Sequence, residues 1–341
     1  MAVHTHKKKG TRKVSFEARL CGLEPLSSEA RLSFPSPIIS IDIAKDKQDV
    51  FDGKNIFTVL NKNLDNILQK YFKPRTAFLE NTGEYTTRVV KALQRAGCEN
   101  IILIDTVKYF HFRQQYSLDN KTDLIDAKLI LSFGLKHGGY SYEERTPFFK
   151  KLNDLLKKRN FISYHNMRIK IQLSGLRDVP EHDKPLFAEY LETQESINKS
   201  LISNVDKELR KLIKNSPYAF LLTKFYGLIL IAKLLNAMQD PARFPNAKNF
   251  ASYLGFRLKT YQSGKIDKKQ RINKRGFGDV RKVLYLSVLG QLSKKKDNPI
   301  KTKYYRLKGR GKNHYCCMVA CMNHTARYFW TLCNKEIQAE T

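Results

Sequence analysis

The chain has 341 residues, and its 62 Lys and Arg against 32 Asp and Glu give a net charge of +30. A charge excess of this size indicates an anionic partner, most often nucleic acid. The hydrophobic fraction of 42% excludes a disordered chain. The longest apolar run, residues 225–232, is too short to cross a bilayer, and the basic N-terminus lacks the apolar segment of a secretory signal. We therefore expect a cytoplasmic, nucleoid-associated protein that binds nucleic acid and no membrane.

The first 37 residues form a basic extension, punctuated by Ser and Pro, that we expect to lie outside the core fold. Residues 38–44 then predict a buried strand, in which Asp42 interrupts the apolar run. Burying a carboxylate beside an apolar core costs free energy unless a charge or hydrogen-bond donor compensates it. We therefore expect Asp42 to have such a partner or to serve a function. An antiparallel meander and a helix are predicted to follow at residues 49–51, 55–60 and 64–71.

Strand and helix patterns alternate after the meander, which predicts an α/β sheet with helices on its faces. The predicted segments are strands at 76–80 and 100–105 and helices at 85–94, 107–116 and from Thr122 onward. Glu80 ends the first of these strands, and Asp123 and Asp126 lie one turn apart on the last helix.

Chemistry in such sheets gathers where the carboxyl ends of the strands meet the starts of helices. We expect Asp42, Glu80, Asp123 and Asp126 to converge at that edge. Four carboxylates could hold one or two Mg²⁺ ions, with Mn²⁺ as an alternative, for phosphoryl transfer. Each acid taken alone also has a structural explanation as a turn residue, a helix start or a solvated strand end.

The apolar period changes between residues 149 and 215, where two stripes with three- and four-residue spacing flank a break at residues 175–185. This pattern predicts a helical hairpin or a coiled coil, with Arg159 and Asn166 in the seam of the first helix. The two interpretations, an intramolecular hairpin and a dimerisation segment, remain open.

The predicted domains are the extension 1–37, an α/β domain 38–147, the hairpin 148–216 and a helical domain 217–335.

The C-terminal part is predicted to be helical, with a Gly-punctuated, strongly basic interruption at residues 256–278. A second basic run covers residues 294–312, with tyrosines that can stack on bases between the charges. The residues predicted to bind nucleic acid are Lys259, Lys265, Lys268, Lys269, Arg271, Lys274, Arg275, Arg281, Lys308 and Arg310.

The six cysteines show no spacing typical of a disulfide framework. Cys317, Cys321 and His324 share one helical face, but a single helix supplies a structural zinc site poorly. We therefore expect these cysteines to pack inside the protein and to bind no zinc.

Three acidic motifs resemble those of the DEDD transposases, the insertion-sequence one-ten family and the related Piv-type DNA invertases. They are Ile41-Asp42-Ile43-Ala44-Lys45, Leu79-Glu80-Asn81-Thr82-Gly83-Glu84-Tyr85 and Asn120-Lys121-Thr122-Asp123-Leu124-Ile125-Asp126-Ala127-Lys128. The run Tyr261-Gln262-Ser263-Gly264, followed by Arg271, Lys274, Gly276, Arg281 and Leu284-Tyr285, resembles the second domain of that family.

The resemblance implies a ribonuclease-H/RuvC-like domain, a coiled-coil segment and a mostly α-helical transposase domain. It implies that Asp42, Glu80, Asp123 and Asp126 bind Mg²⁺, and that Ser263 forms a transient phosphoserine link to DNA. It also implies donor and target DNA, a guide (bridge) RNA and a homo-oligomer, a dimer or a tetramer, in which the acids of one subunit act with the serine of another.

Two rival functions remain open at this point. One is a RuvC-like endonuclease that uses water as the nucleophile, with Ser263 only packing. The other is a non-catalytic protein that bridges nucleic acids.

Overall fold

The computed structural model of the chain describes residues 38–115, 123–176, 186–225, 227–259, 262–263, 266–267, 271–272 and 276–340. The chain divides into two compact units, Met1–Glu144 and Arg145–Thr341. The predicted N-terminal extension, residues 1–37, lies outside the described residues. The segments 148–216 and 217–335, which the sequence pattern separates, both fall within the second unit.

The first unit contains a six-stranded mixed sheet. Its strands are β1 (Ile38–Ile43), β2 (Lys47–Phe51), β3 (Ile56–Leu60), β4 (Thr76–Glu80), β5 (Asn100–Ile104) and β6 (Tyr140–Ser141). Their order across the sheet is β3-β2-β1-β4-β5-β6. The strands β1, β4 and β5 run parallel, whereas β2, β3 and β6 pair antiparallel with their neighbours. The predicted α/β sheet, with a meander at its start, is confirmed.

Helices cover both faces of this sheet. They are α1 (Leu64–Ile67, continued by a π turn Leu68–Phe72), α2 (Glu84–Arg95), α3 (Thr106–Gln114) and α4 (Asp123–His137). Val89 and Leu93 of α2 pack with Ile39 and Ile41 on one face. Leu129 and Phe133 of α4 pack with Phe78 and Tyr109 on the other. Successive side chains along β1 and β4 point to opposite faces of the sheet, so each of them faces either α2 or α4.

Gly134 allows α4 to lie against the sheet without a gap. A Cβ atom added at Gly134 would lie 2.3 Å from Cδ1 of Phe78 in β4, well inside van der Waals contact. Because Phe78 is fully buried, its ring has little room to move. The absence of a side chain at 134 therefore sets the distance between α4 and β4.

We expect Gly134→Ala to destabilise the protein by about 1–3 kcal/mol, because overpacking forces the Phe78 ring or the helix to shift. Thermal unfolding checks this, with Gly290→Ala as the matched control. Gly290 is helical and has no atom within 4 Å of an added Cβ, so its replacement is expected to be neutral or stabilising by up to about 1 kcal/mol. If the two substitutions change the unfolding temperature equally, the contact between position 134 and Phe78 does not limit the packing of α4.

The second unit is mostly helical. Its helices are α5 (Pro147–Gly175), α6 (Leu186–Lys214), α7 (Leu221–Lys224), α8 (Leu228–Met238), α9 (Ala247–Ala251, continued by a π turn Ser252–Phe256), α10 (Gly278–Leu292), α11 (Pro299–Gly309) and α12 (His314–Glu340). One apolar core joins Leu152 and Leu209, from the base of the α5–α6 hairpin, to Leu235, Leu284 and Phe329 of the later helices. The hairpin therefore shares its core with the helices that follow it.

The two polar residues predicted in the hairpin seam have different surroundings. Arg159 of α5 donates two hydrogen bonds to the Asp206 carboxylate of α6, at 2.6 and 3.2 Å. This bidentate pair links the two helices within one chain. Asn166 is buried, and its Oδ1 accepts no hydrogen bond from the described part of the chain. The structure thus contains the predicted helical hairpin, with one seam residue paired internally.

Cys317 and Cys321 of α12 are buried in the core of the second unit. Their Sγ atoms lie 3.6 Å from the carbonyl oxygen of Lys312 and 3.7 Å from that of Ile300, so both thiols contact neighbouring backbone. Across the described ranges, no helix combines the length and the apolar composition that crossing a membrane requires.

Candidate active site

Asp42 and Glu80 occupy neighbouring positions at the carboxyl ends of two parallel strands. Ile41 of β1 is the register partner of Leu79 of β4, and the two acids are the next residues of their strands. Both acids are half-buried. Residues side by side on parallel strands point to the same face of a sheet. The two carboxylates therefore share one face and one edge, as the sequence pattern predicts.

That face is the one that α4 covers. Ser40, two residues before Asp42, donates its hydroxyl hydrogen to the carbonyl oxygen of Ala127 in α4, at 2.6 Å. Phe78, two residues before Glu80, packs against the same helix. The strand alternation thus directs Asp42 and Glu80 toward the layer that contains Asp126.

Asp126 is buried, with 7% of its surface exposed. A buried carboxylate is stable only with compensating charge or hydrogen bonds. The Nε atom of Arg113 in α3 lies 3.2 Å from Oδ1 of Asp126 and supplies such a charge. The sequence pattern predicted this helix but assigned Arg113 no role.

The phenol of Tyr109 lies in the same layer as Asp126. Its hydroxyl donates to the backbone carbonyl of Asp126 at 3.3 Å, and the side chain is buried. Burial is the largest cause that raises the pKa of Tyr109, and the carboxylates of Asp126, Glu80 and Asp42 raise it further, against the opposing effect of Arg113. The negative charges of three of the four predicted acids therefore all disfavour ionisation of this hydroxyl group.

A further carboxylate lies beside this set and was not predicted. Asp49 of β2 is the register partner of Asp42, and opposed residues of antiparallel strands point to the same face. Asp49 is buried, accepts a hydrogen bond from Thr58 and lies 3.8 Å from Nζ of Lys47. Two acids directly opposite each other repel, so this pair adds negative potential to the edge that carries Asp42.

Asp123 is the first residue of α4, one turn before Asp126, but its side chain lies outside the described residues. Within the described side chains, no group of three or more His, Cys, Asp and Glu has the geometry of a metal site. The donor chemistry of Asp42, Glu80 and Asp126 nevertheless fits a hard divalent cation, which takes carboxylate oxygens. The guanidinium group of Arg113 supplies positive charge next to the carboxylate of Asp126.

We expect Arg113→Met to destabilise the protein by about 1–3 kcal/mol. Removing one member of a buried ion pair leaves the other charge uncompensated, and the expected loss is reduced here because Arg113 is partly exposed. Chemical denaturation checks the effect. Arg95→Met is the control, since Arg95 pairs with Asp65 at 2.6 Å where both side chains are about half exposed. A loss no larger than that of the control would contradict the role of Arg113.

Ser263 lies on a different element in the second unit. The pairing of β8 (Gln262–Ser263) with β9 (Ile266–Asp267) makes Ser263 the register partner of Ile266, so only residues 264–265 separate the strands. The strands β7 (Leu258–Lys259) and β10 (Arg271–Ile272) pair outside them. These two strand pairs are the β-ribbon of the second unit, and Ser263 is the last residue of β8 in it. Its side chain lies outside the described residues.

Most of the predicted nucleic-acid-binding side chains also lie outside the described residues. They are Lys259, Lys265, Lys268, Lys269, Arg271, Lys274 and Arg275. Of the other three, Lys308 and Arg310 are exposed at the end of α11. Arg281 is half-buried and donates to the carbonyl oxygen of Leu254 at 2.7 Å, so part of its hydrogen-bonding capacity serves the fold.

Two comparisons with known proteins bear on this arrangement. The model of the transposase IS116/IS110/IS902 family matches residues 224–306, which include the β-ribbon and the helices around it. The pilin gene-inverting protein of Moraxella bovis is 28% identical over 186 residues. That alignment covers 52% of this chain and 56% of the relative, so the chain spans little more than half the length of the relative. The family match covers the serine motif but not the acidic motifs, and together the two matches confirm the resemblance of this chain to the IS116/IS110/IS902 transposases.

Proposed function

We propose that this chain is a Mg²⁺-dependent DNA recombinase that cuts and rejoins DNA through a covalent link to Ser263. The observation that carries the proposal is that Asp42 and Glu80 lie side by side at the carboxyl ends of β1 and β4, on the sheet face that α4 and its buried Asp126 cover. The family match over residues 224–306 supports a transposase, and the similarity to a protein named for gene inversion supports DNA rearrangement.

The proposed first domain is ribonuclease-H/RuvC-like. The mixed sheet, with an antiparallel meander before parallel strands, supports this assignment. Asp42, Glu80, Asp123 and Asp126 would hold the divalent cation, Mg²⁺ or Mn²⁺. When bound, such a cation stabilises the charge that develops on phosphoryl oxygens.

In the proposed reaction Ser263 is the nucleophile. Its Oγ forms a bond to the phosphorus of a DNA phosphodiester, and its proton passes to a base or to solvent. The bond from phosphorus to the leaving deoxyribose oxygen breaks, and that oxygen takes up a proton. A serine hydroxyl is a weak nucleophile at neutral pH and needs activation, while nearby Lys and Arg charges can stabilise the phosphorane. The resulting phosphoester keeps the bond energy that rejoining requires.

The proposal includes donor and target DNA and a guide RNA as partners. The net charge of +30 supports a polyanionic partner, and the RNA follows from the family resemblance. The test is to purify a tagged copy of the protein under denaturing conditions and to sequence the attached DNA, while RNA is sequenced from a native purification. We expect discrete DNA junctions and one abundant transcript. Random DNA and the absence of a discrete transcript would overturn guided recombination.

A homo-oligomer is the last part of the proposal. The α5–α6 hairpin carries an open groove of about 430 Å³ with the apolar side chains of Phe161, Phe187, Tyr190 and Leu201 exposed along it. Exposed apolar surface of this kind is typical of an interface, and we propose that a second copy of the chain covers it.

We expect Phe161→Glu to shift the protein toward monomer, because it places a charge in a surface that would be buried. Sedimentation velocity measures the change. Lys207→Glu, at an exposed position of α6 outside the groove, is the control. An unchanged sedimentation coefficient for Phe161→Glu would show that the groove is not the interface.

A further inference from the structure

An open pocket of about 490 Å³ lies between the start of α11 and the middle of α12 in the second unit. It is lined by Thr302, Lys303 and Arg306 of α11, by His324 of α12 and by Asp297 just before α11. Lys303 and Arg306 belong to the basic run at residues 294–312, whereas His324 lies outside both predicted basic runs. The pocket therefore joins basic side chains that are about twenty residues apart along the chain.

The charge in this pocket is almost entirely positive. Arg327 lies one turn after His324 on α12 and acts electrostatically on both Lys303 and His324. The lining carboxylate of Asp297 lies 3.4 Å from Nζ of Lys301, which compensates part of its negative charge. Across the described ranges, no carboxylate lies within ion-pair distance of Lys303, Arg306 or Arg327.

The cations in the pocket repel one another. Burial is the largest cause that lowers the pKa of Lys303; Cys321 opposes this effect, and the charges of Arg306 and Arg327 each lower the pKa further. Burial also lowers the pKa of His324, with Lys303 and Arg327 as the next causes. The protein therefore holds a concentration of positive charge that a bound anion would relieve.

We propose that this pocket binds a phosphodiester group of a nucleic-acid backbone. The inference rests on the proposed function, which supplies the nucleic acid. Arg306 lines the pocket with a guanidinium group that matches phosphate oxygens, Lys303 adds a compact charge, and Arg327 adds positive charge close to both Lys303 and His324. The start of α11 at Pro299 contributes the positive end of a helix dipole.

The shape of the surface supports a polymer rather than a small ion. The pocket is open to solvent, so a phosphate that is part of a longer chain can reach it. Lys308 and Arg310, both exposed, extend the positive surface toward the far end of α11. Contacts of this kind position a nucleic acid without reading its sequence.

The experiment measures the affinity of the full chain for a labelled DNA duplex and for a labelled single-stranded RNA, each at several salt concentrations. The test variant is Arg306→Gln with Arg327→Gln. Lys211→Gln with Lys335→Gln is the control, because it removes the same charge from exposed positions of α6 and α12 outside the pocket. We expect at least one probe to bind the test variant roughly tenfold more weakly, with a salt slope smaller by about 0.9 for each lost phosphate contact.

Two further measurements exclude a merely structural effect. Arg306→Lys with Arg327→Lys, which keeps the charge, is expected to recover most of the salt slope.

Binding is also expected to strengthen as the pH falls and His324 becomes protonated, since a phosphate favours the charged imidazole. His324→Gln should remove this part of the pH dependence, while Lys303, Arg306, Arg327, Asp297 and Cys321 remain around the site.

The outcomes separate this inference from the proposed function. If the test variant and the control bind both probes alike, the pocket proposal is wrong and the recombinase proposal stands. If the unmodified protein shows no salt-dependent binding to either probe, both proposals fail. If inorganic phosphate shifts the NMR signals of His324 but neither probe distinguishes the variants, the pocket is an anion site only, and the proposal is overturned.

Discussion

Ser263→Ala is expected to abolish the covalent protein–DNA adduct and to reduce strand exchange to background, a loss on the order of 10³-fold or more. Alanine has no oxygen that can bond to phosphorus, so no phosphoserine can form and the bond energy needed for rejoining cannot be stored. The measurement is denaturing gel electrophoresis of labelled DNA with the protein, together with amplification across recombined junctions.

Ser293→Ala serves as the control for this experiment. Ser293 is an exposed serine at the end of α10 whose hydroxyl donates to the carbonyl oxygen of Gly290. Its replacement should leave adduct and product unchanged. If cleavage by Ser263→Ala persists at the full rate, water is the nucleophile, and the protein is a metal-dependent endonuclease instead. The covalent mechanism would then be abandoned while the role of the acids stands.

Asp126→Asn is expected to lower the rate of DNA cleavage by about 10²- to 10³-fold, because it removes one charge from the proposed cation site while keeping the shape of the side chain. A second measurement does not depend on activity. Mg²⁺ should raise the unfolding temperature of the unmodified protein by mass action, and this stabilisation should be reduced or lost in Asp126→Asn.

Asp65→Asn is the matched control for this loss of charge. Asp65 is about half exposed and pairs with Arg95 on the surface, so its replacement should change neither the cleavage rate nor the response to Mg²⁺. Equal responses of the two variants to Mg²⁺ would remove Asp126 from the proposed cation site. If Asp123→Asn combined with Asp126→Asn leaves the biological output unchanged, the protein bridges nucleic acids without cutting them.

The elements of the first unit were predictable because the relevant signals are local. The buried strands are continuous apolar runs, and Asp42 and Glu80 stand out as carboxylates within or at the ends of such runs. A strand pattern that is apolar on both sides identifies a sheet covered by helices. The hairpin of the second unit was predictable for the same reason, since its apolar spacing follows the helical period.

The β-ribbon around Ser263 was harder to predict. Each of its strands, such as Gln262–Ser263, is only two residues long, and basic side chains dominate the segment. No apolar alternation can develop over two residues, so periodicity carries no signal there. Only the family resemblance drew attention to this serine, and its role remains a prediction.

The sequence by itself determined which carboxylates and which serine are candidates for the active site. Residue type and hydrophobic period can both be read from a single segment. Only the tertiary structure decided which side chains meet. The strand register brings Asp49 opposite Asp42, and the packing of α3 against α4 brings Tyr109 and Arg113 to Asp126. In the second unit, the packing of α11 against α12 joins Lys303 and Arg306 with His324. These contacts depend on how helices and strands from distant parts of the sequence pack their apolar faces against one another. No single segment of the sequence contains that information.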